Sequence, residues 1–408
     1  MNILILSDGF PPLSNAGAEN MAYVIAQEYK KQGHLVHVIT INSELKNGDV
    51  KKISYEELVV HQVGSSYNRH LVAYVSLYNP WVLSAIKDIL SESNFEFAHL
   101  HNIHAHISYS VISLLKDHKM KLILSLHDAM SIEYGKFTQG INSNDLSNNP
   151  KVNKKINPFK SFMNNKKSYN PFRNTIIKYF LKKVNKVVTD SYELKLLLNA
   201  NGIENLEALN SGIPSFNKRS TALKINSFRE KYNINETDHI LFWAGRLSEA
   251  KGSIQVIQVL EKLIQNNYNV KLFVAGKKIF KGHKLEKHMI FADWLNMEDM
   301  SKAYNITDIT LVPSICYDMF PTVILESMQE GTPVIATCFG GSKEAVVHGE
   351  TGYIVNPFDI ENFYEKICKI LDNNQLQKTM ALNCVRVFQD KFTVEICANK
   401  YFKIMESL

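Results

Sequence analysis

The chain has 408 residues, 45% of them hydrophobic, and carries 46 Lys and Arg against 40 Asp and Glu for a net charge of +6. That is long enough for two domains of about 150–200 residues with ordinary soluble cores, and no apolar run approaches the roughly 20 residues that excluding water from a membrane-spanning helix requires. The five cysteines (Cys316, Cys338, Cys368, Cys384, Cys397) are odd in number, lack metal-ligand spacing and lie in the last quarter, which reads as reduced, mostly buried thiols in a cytosolic protein.

The N-terminus has no basic leader and reads as a first strand over Asn2–Ser7, not as a signal peptide. A loop with two prolines and Gly17 follows, then helical spacing over Ala18–Gln32 through Met21, Val24, Ile25 and Tyr29. Gly33-His34 closes that helix, and Leu35–Thr40 alternates as the next strand. This is a Rossmann-like start without the G-x-G-x-x-G fingerprint. Phe95–Leu100 and Leu122–Leu126 read as buried strands, each ending in polar residues: His99, His101 and Asn102 after one, His127-Asp128 after the other. The histidines of this region lack the carboxylate or cysteine pattern of a zinc site, so no metal is expected. Ala129–Asn174 is a long polar stretch, which in a compact domain is either functional or a solvated insertion. From Lys151 to Lys186 there are eleven Lys or Arg and no Asp or Glu. That local excess implies a surface attractive to phosphates, whether lipid headgroups, a lipid diphosphate or a polyanionic acceptor. Ile176–Val184 is amphipathic and Val187–Ser191 reads as a strand.

Residues 215–238 read as a linker and lead-in helix. His239–Ala244 is a strand that runs into Gly245-Arg246-Leu247-Ser248-Glu249-Ala250-Lys251-Gly252. A planar guanidinium and a point-charge ammonium on a glycine-bounded loop suit a diphosphate, although on charge alone an exposed solvated loop is the simpler reading. Val270–Gly276 is another buried strand. Ile309–Val312 is a strand, Thr322–Gln329 a helix stopped by Gly331-Thr332-Pro333, and Val334–Ala336 a strand before the turn Gly340-Gly341. Asp318 lies in the loop and Glu326 inside the helix that the loop starts. A helix N-terminus seats anions and sugar oxygens, but on spacing alone an N-capping Asp and a solvated Glu are the simpler reading.

Set together, these motifs resemble glycosyltransferase family 4, retaining enzymes of the GT-B fold. Asp318-x7-Glu326 stands in the family's E-x7-E motif, with Phe320, Pro321, Val323, Ser327, Met328, Gly331, Pro333, Gly340, Gly341 and Glu344 in register. Gly245-Arg246-Leu247 with Lys251-Gly252 matches the family's G-R-L-x-x-x-K-G. Pro11, Pro12, Gly17, Ala18 and Glu19 match its opening loop, and Gly349, Thr351, Gly352, Val355 and Pro357 its later glycine segment. Three positions depart: Asp318 is a methylene shorter than Glu, Ala16 replaces a glycine, and Asp293 replaces a glycine near the usual base site.

The resemblance implies an α/β GT-B fold of two doubly wound Rossmann-like domains facing across a cleft. Residues 1–212 would bind the acceptor and 213–392 the nucleotide sugar, with a helix at about 393–408 packing back on the first domain. It implies a cytoplasmic, metal-independent, retaining hexosyltransferase using a nucleoside-diphosphate sugar, with no cofactor and no nucleic acid, acting in surface polysaccharide or glycoconjugate synthesis. The acceptor would be a glycan or lipid-linked glycan, with peripheral membrane contact through 151–186. Arg246 and Lys251 would hold the diphosphate, Asp318 the sugar, Glu326 the ribose, and His127 would lie near the reacting sugar. Gly17, Met319, Phe320, Thr322 and Val323 would complete the donor site. The alternative is a catalytically silent GT-B protein that supports another transferase.

Overall fold

The computed structural model describes residues 1–14, 17–134, 137–215, 221–277 and 284–408. The chain divides into two compact units, one of Met1–Gly135, Lys154–Gly212 and Val394–Leu408, the other of Lys136–Asn153 and Ile213–Thr393.

The first unit is built on eight strands: β1 (Asn2–Ser7), β2 (Leu35–Asn42), β3 (Val50–Tyr55), β4 (Leu58–Gly64), β5 (Phe97–His101), β6 (Lys121–Leu126), β7 (Lys186–Thr189) and β8 (Leu206–Ala208). Their order across the sheet is β3-β4-β2-β1-β5-β6-β7-β8, and every pairing is parallel except β3 with β4. A parallel sheet covered on both faces requires continuous apolar strands, and Ile3, Leu4, Ile5 and Leu6 of β1 are all fully buried. The antiparallel β3–β4 hairpin, not foreseen from the sequence, has an exposed edge strand in β3 whose first three residues face solvent. Strand direction along the sheet reverses its order of connection between β1 and β5, the place where such folds gather ligand-binding loops.

The polar stretch after β6 is less featureless than its composition. Asn157 accepts from the Phe159 and Lys160 amides, and Pro158 opens the helix Pro158–Asn165, the arrangement in which proline's missing N–H costs nothing. Residues 137–153, read from sequence as part of the first domain, group instead with the second unit. The physical reason is a set of main-chain anchors: Asn356 donates to the carbonyls of Asp145 (2.7 Å) and Ser147 (2.8 Å), and the Tyr317 amide donates to Phe137 O (2.8 Å). The helix Val394–Ser407 belongs to the first unit, where Tyr401 shares a 2.7 Å hydrogen bond with Ser125 and the Phe402 ring lies 4.8 Å from that of Tyr29.

The second unit holds β9 (His239–Ala244), β10 (Val270–Ala275), β11 (Met289–Phe291), β12 (Ile309–Val312), β13 (Val334–Thr337) and β14 (Gly352–Val355), ordered β11-β10-β9-β12-β13-β14 and parallel throughout. Leu241, Val274, Leu311 and Ile335 pack on one face with Val259 and Leu263 of the helix Ser253–Gln265. Phe242 and Phe273 pack on the other face with Tyr304. The order reverses between β9 and β12, so the loops leaving those two strands meet at one edge.

Candidate active site

The loop after β9 turns twice through glycine. Gly245 has φ 105° and Gly252 φ 87°, conformations that cost a residue with a Cβ. At Gly252 the demand is doubled, because a Cβ would lie 2.0 Å from the carbonyl oxygen of Pro313. That close approach brings Lys251 against the loop after β12. The Ala250 carbonyl accepts from the amides of both Ile315 and Cys316, each at 3.1 Å. The second loop is pinned in turn by Gly340, with φ 84° and room for no Cβ beside the Asp318 carbonyl, and by the Gly341 amide, 2.8 Å from the same oxygen.

These constraints put Lys251 Nζ in an ion pair with Asp318 Oδ2, which also accepts from Ser314 Oγ at 2.8 Å. Burial lowers the affinity of the Lys251 amine for its proton, but the Asp318 carboxylate and Cys316 overcome this and hold its pKa above the usual lysine range. Arg246 is exposed on the same loop. Arg246, Lys251 and Ser314 line a cavity of about 600 Å³ together with Trp243, Pro321 and Val323. Two cations, a helix-opening loop and an apolar wall converge there, an arrangement suited to a diphosphate joined to organic groups.

Glu326 lies one turn into the helix Thr322–Gln329 and faces inward. It accepts from Tyr304 Oη at 2.9 Å and from Thr322 Oγ1 at 3.4 Å. Burial raises its pKa, and those two hydrogen bonds oppose the rise. Met319 and Phe320 are buried, the latter 6.0 Å from the Phe392 ring. The solvated Glu left open by the spacing is therefore not what folds. Ser314 and Tyr304 were not singled out from the sequence: Ser314 stands four positions before Asp318 in a loop whose turn the sequence does not specify, and Tyr304 meets Glu326 across 22 positions.

In the first unit, His127 follows β6 and is nearly enclosed. Its Nε2 is 3.0 Å from His101 Nδ1, the two rings stack at 5.3 Å, and its Nδ1 lies 3.9 Å from Asp190 Oδ2. Burial lowers its pKa to about 4, partly opposed by Asp128, so the ring is neutral near pH 7. Both ring nitrogens thus face protein groups, a more committed position than the sequence implied. His101, placed by the sequence just after the strand, is the last residue of β5 and the direct partner of His127. Gly17 is the exposed first residue of the helix Gly17–Lys31, where a Cβ would meet nothing within 4 Å. Its neighbour Ala16 lies outside the described residues. Lys251, Asp318, Arg246 and Val323 thus share one site, with Glu326 and Thr322 on the adjoining helix, whereas His127 and Gly17 belong to the other unit.

The sequence profile described as Glycosyltransferase Family 4 matches residues 15–214, and that of Glycosyl transferases group 1 matches residues 224–384. YtcC of Bacillus subtilis, provisionally named a glycosyltransferase, is 24% identical over 83% of this chain and 79% of its own length. The N-acetyl-alpha-D-glucosaminyl L-malate synthase of Bacillus anthracis is 20% identical over 96% of this chain and 93% of its own. Among solved structures, Anabaena HepE in complex with UDP superposes with a TM-score of 0.71 at 17% identity, covering 100% of both chains. The two profiles and the fold agree with the motifs of the β9 and β12 loops: the chain belongs to the group 1, family 4 type glycosyltransferases and has their GT-B fold.

Proposed function

We propose that the protein is a retaining, metal-independent transferase that moves a sugar from a nucleoside diphosphate to an acceptor hydroxyl in polysaccharide or glycoconjugate synthesis. The observation that carries this reading is the Lys251–Asp318 pair beside Arg246 on the wall of the 600 Å³ cavity. The incoming diphosphate competes with Asp318 for Lys251 and takes Arg246 as a second cation, so negative charge developing on the leaving group is met by charges already in place. Asp318, released, turns to the sugar hydroxyls. Glu326, oriented by Tyr304, accepts from the ribose. His127 is assigned to the reacting sugar, and its neutral ring suits hydrogen bonding rather than ion pairing. The acceptor hydroxyl attacks the face that the diphosphate leaves, and the diphosphate takes the proton.

Donor binding and slow hydrolysis, measured with UDP-, GDP-, ADP- and dTDP-sugars in EDTA, test this. One donor turning over despite chelation, with the activity lost in Lys251→Ala, supports the reading. Binding by none of them rejects it and leaves the silent partner.

The acceptor is assigned to the first unit as a glycan or lipid-linked glycan, with peripheral membrane contact through the basic segment. What supports the contact is the apolar surface interleaved with those cations: Phe159, Phe162, Met163, Phe172 and Tyr179 are all exposed. Aromatic rings among lysines suit the boundary of an anionic bilayer. Among the described residues, no helix is long and apolar enough to cross a membrane.

A further inference from the structure

His101 closes β5 and is fully buried. Its Nδ1 lies 3.0 Å from His127 Nε2. The two ring planes are 7° apart and the centroids 5.3 Å apart, so at that N···N distance both nitrogens lie between the centroids and the hydrogen bond runs along the axis of each ring. Behind His101, the His99 ring lies 4.1 Å away between centroids, and it is itself held by Tyr29 Oη at 3.0 Å and Ser125 Oγ at 2.8 Å. This packing fixes the plane of His101. The main chain of His127 is fixed as well: Asn102, at φ 44°, accepts from the His127 amide and donates to Asp128 Oδ2, each at 3.0 Å.

Burial keeps both rings neutral, with His127 lowered to about 4 and His101 well below the usual range. A neutral imidazole carries one N–H and one lone pair, so the pair can share its hydrogen in two ways. In either, His101 Nε2 is sealed from solvent without a partner, and it does not choose between them. The far side of His127 does. If His127 donates from Nε2, it turns a lone pair on Nδ1 toward Asp190 Oδ2, 3.9 Å away in a pair whose side chains are each only 6% exposed. If His101 donates instead, His127 turns an N–H toward that carboxylate. A hydrogen facing an anion is attractive and a lone pair facing it repulsive, and shelter from water strengthens both. Asp190 therefore selects the arrangement in which His101 is the donor.

We propose that His101 is a positioning residue for the transfer reaction: it donates from Nδ1 to His127 Nε2, which fixes the plane of that ring and holds its hydrogen on Nδ1. The nitrogen of a histidine that carries the hydrogen is set by the bond the other nitrogen makes, and here the setting partner stands at the end of the neighbouring strand. With Nε2 taken by His101, Nδ1 is the one ring nitrogen that His127 has left for a ligand, and it is a donor. A hydroxyl that accepts from it can in turn donate to an acid, so the ring is set to meet a sugar oxygen rather than a second hydrogen. The consequence for turnover rests on the assignment of His127 to the reacting sugar under the proposed function. The placement of the hydrogen does not.

The test reads the hydrogen directly, by nuclear magnetic resonance on the ligand-free full chain with nitrogen-15 in its histidine rings. The His127 signals are assigned by their loss in His127→Gln. Two-bond nitrogen–proton correlations at neutral pH should show the His127 hydrogen on Nδ1. A hydrogen on Nε2, or equal populations, overturns the proposal, and this arm asks no variant at position 101 to fold. His101→Phe keeps a ring but loses the donor, and should shift His127 toward Nε2–H. His101→Asn, whose side-chain amide can donate from near the place of Nδ1, should keep it on Nδ1. With the nucleotide sugar that turns over, His101→Phe should lower kcat by about tenfold or more, the scale seen when a histidine loses its orienting partner, with KM and UDP affinity little changed. His101→Asn should recover most of that loss. An unchanged kcat in His101→Phe, no recovery in His101→Asn, or a fall in UDP affinity equal to the fall in kcat shows a residue that only packs, and overturns the proposal. Binding by no nucleotide sugar rejects the transferase reading instead, and the nitrogen signals still decide where the hydrogen sits.

Discussion

At Lys251 the structure pairs the cation that the proposed mechanism assigns to the donor diphosphate. Asp318 neutralises it and Ser314 steadies the carboxylate, so in that mechanism a donor displaces both interactions. Asp318→Asn removes the competitor but keeps the shape. It should therefore bind UDP several-fold more tightly while lowering kcat by at least tenfold, a split that separate binding and turnover measurements would reveal. Equal losses in both would show that Asp318 only supports the loop. Lys251→Ala should instead weaken UDP by about 2 kcal/mol or more, the scale of a charge-assisted hydrogen bond in a sheltered site.

The buried histidines of the first unit set a pH limit at the same scale. Burial lowers His99 to about 3 and His61 to about 4, as it does His127. In the unfolded chain each takes a proton near pH 6.5. Between pH 6.5 and about 4 the unfolded state therefore binds more protons than the folded one, and stability rises with pH. It is fully present above pH 6.5 and lost as pH falls, by up to about 1.4 kcal/mol per pH unit for each group. Urea midpoints measured from pH 7.5 to 4.5 should fall steeply. A flat profile would mean that these rings are hydrated.

Among the elements, the two loops of the candidate active site depend on backbone approach more than on side chains. Gly340→Ala would put a methyl against the Asp318 carbonyl at a positive φ, a strain of the order of 1–3 kcal/mol or more. Thermal unfolding should shift down, and UDP affinity should fall with Lys251 still present. The sequence showed Gly340 and Gly252 as turn residues, and their positive φ bears that out. It could not show what each glycine makes room for, because Pro313 and Asp318 approach from other parts of the chain. Asp293 offers the converse case. It occupies a family glycine position and adopts φ 52°, a conformation that Asp tolerates better than most residues, so the departure is compatible with the backbone.

For the whole molecule, the last helix and the basic face matter most. Tyr401 closes on Ser125, which also meets His99 at 2.8 Å, and Phe402 covers Tyr29. Deleting 394–408 uncovers this part of the first unit's core and should lower its unfolding midpoint by tens of degrees or prevent folding, as calorimetry would register. The exposed ring set predicts sedimentation with phosphatidylglycerol vesicles and not with phosphatidylcholine. Phe159→Ser with Phe172→Ser should reduce that binding, and equal binding to both lipids would reject the electrostatic part of the reading.

The sequence by itself determined the fold class, most of the parallel strands and the loops in which the family motifs sit. Apolar periodicity, glycine punctuation and motif spacing are local properties of the chain, written within a few residues. Tertiary structure alone decided the partners. Lys251 meets Asp318 across 67 positions, His101 meets His127 across 26, and Tyr304 meets Glu326 across 22. Strand order chooses such pairs, by setting which loops leave neighbouring strands at the sheet's edge. The same holds for Arg173, which the sequence shows as one cation among eleven. Only the packing of Tyr134 and Ser76 against it makes it a buried charge.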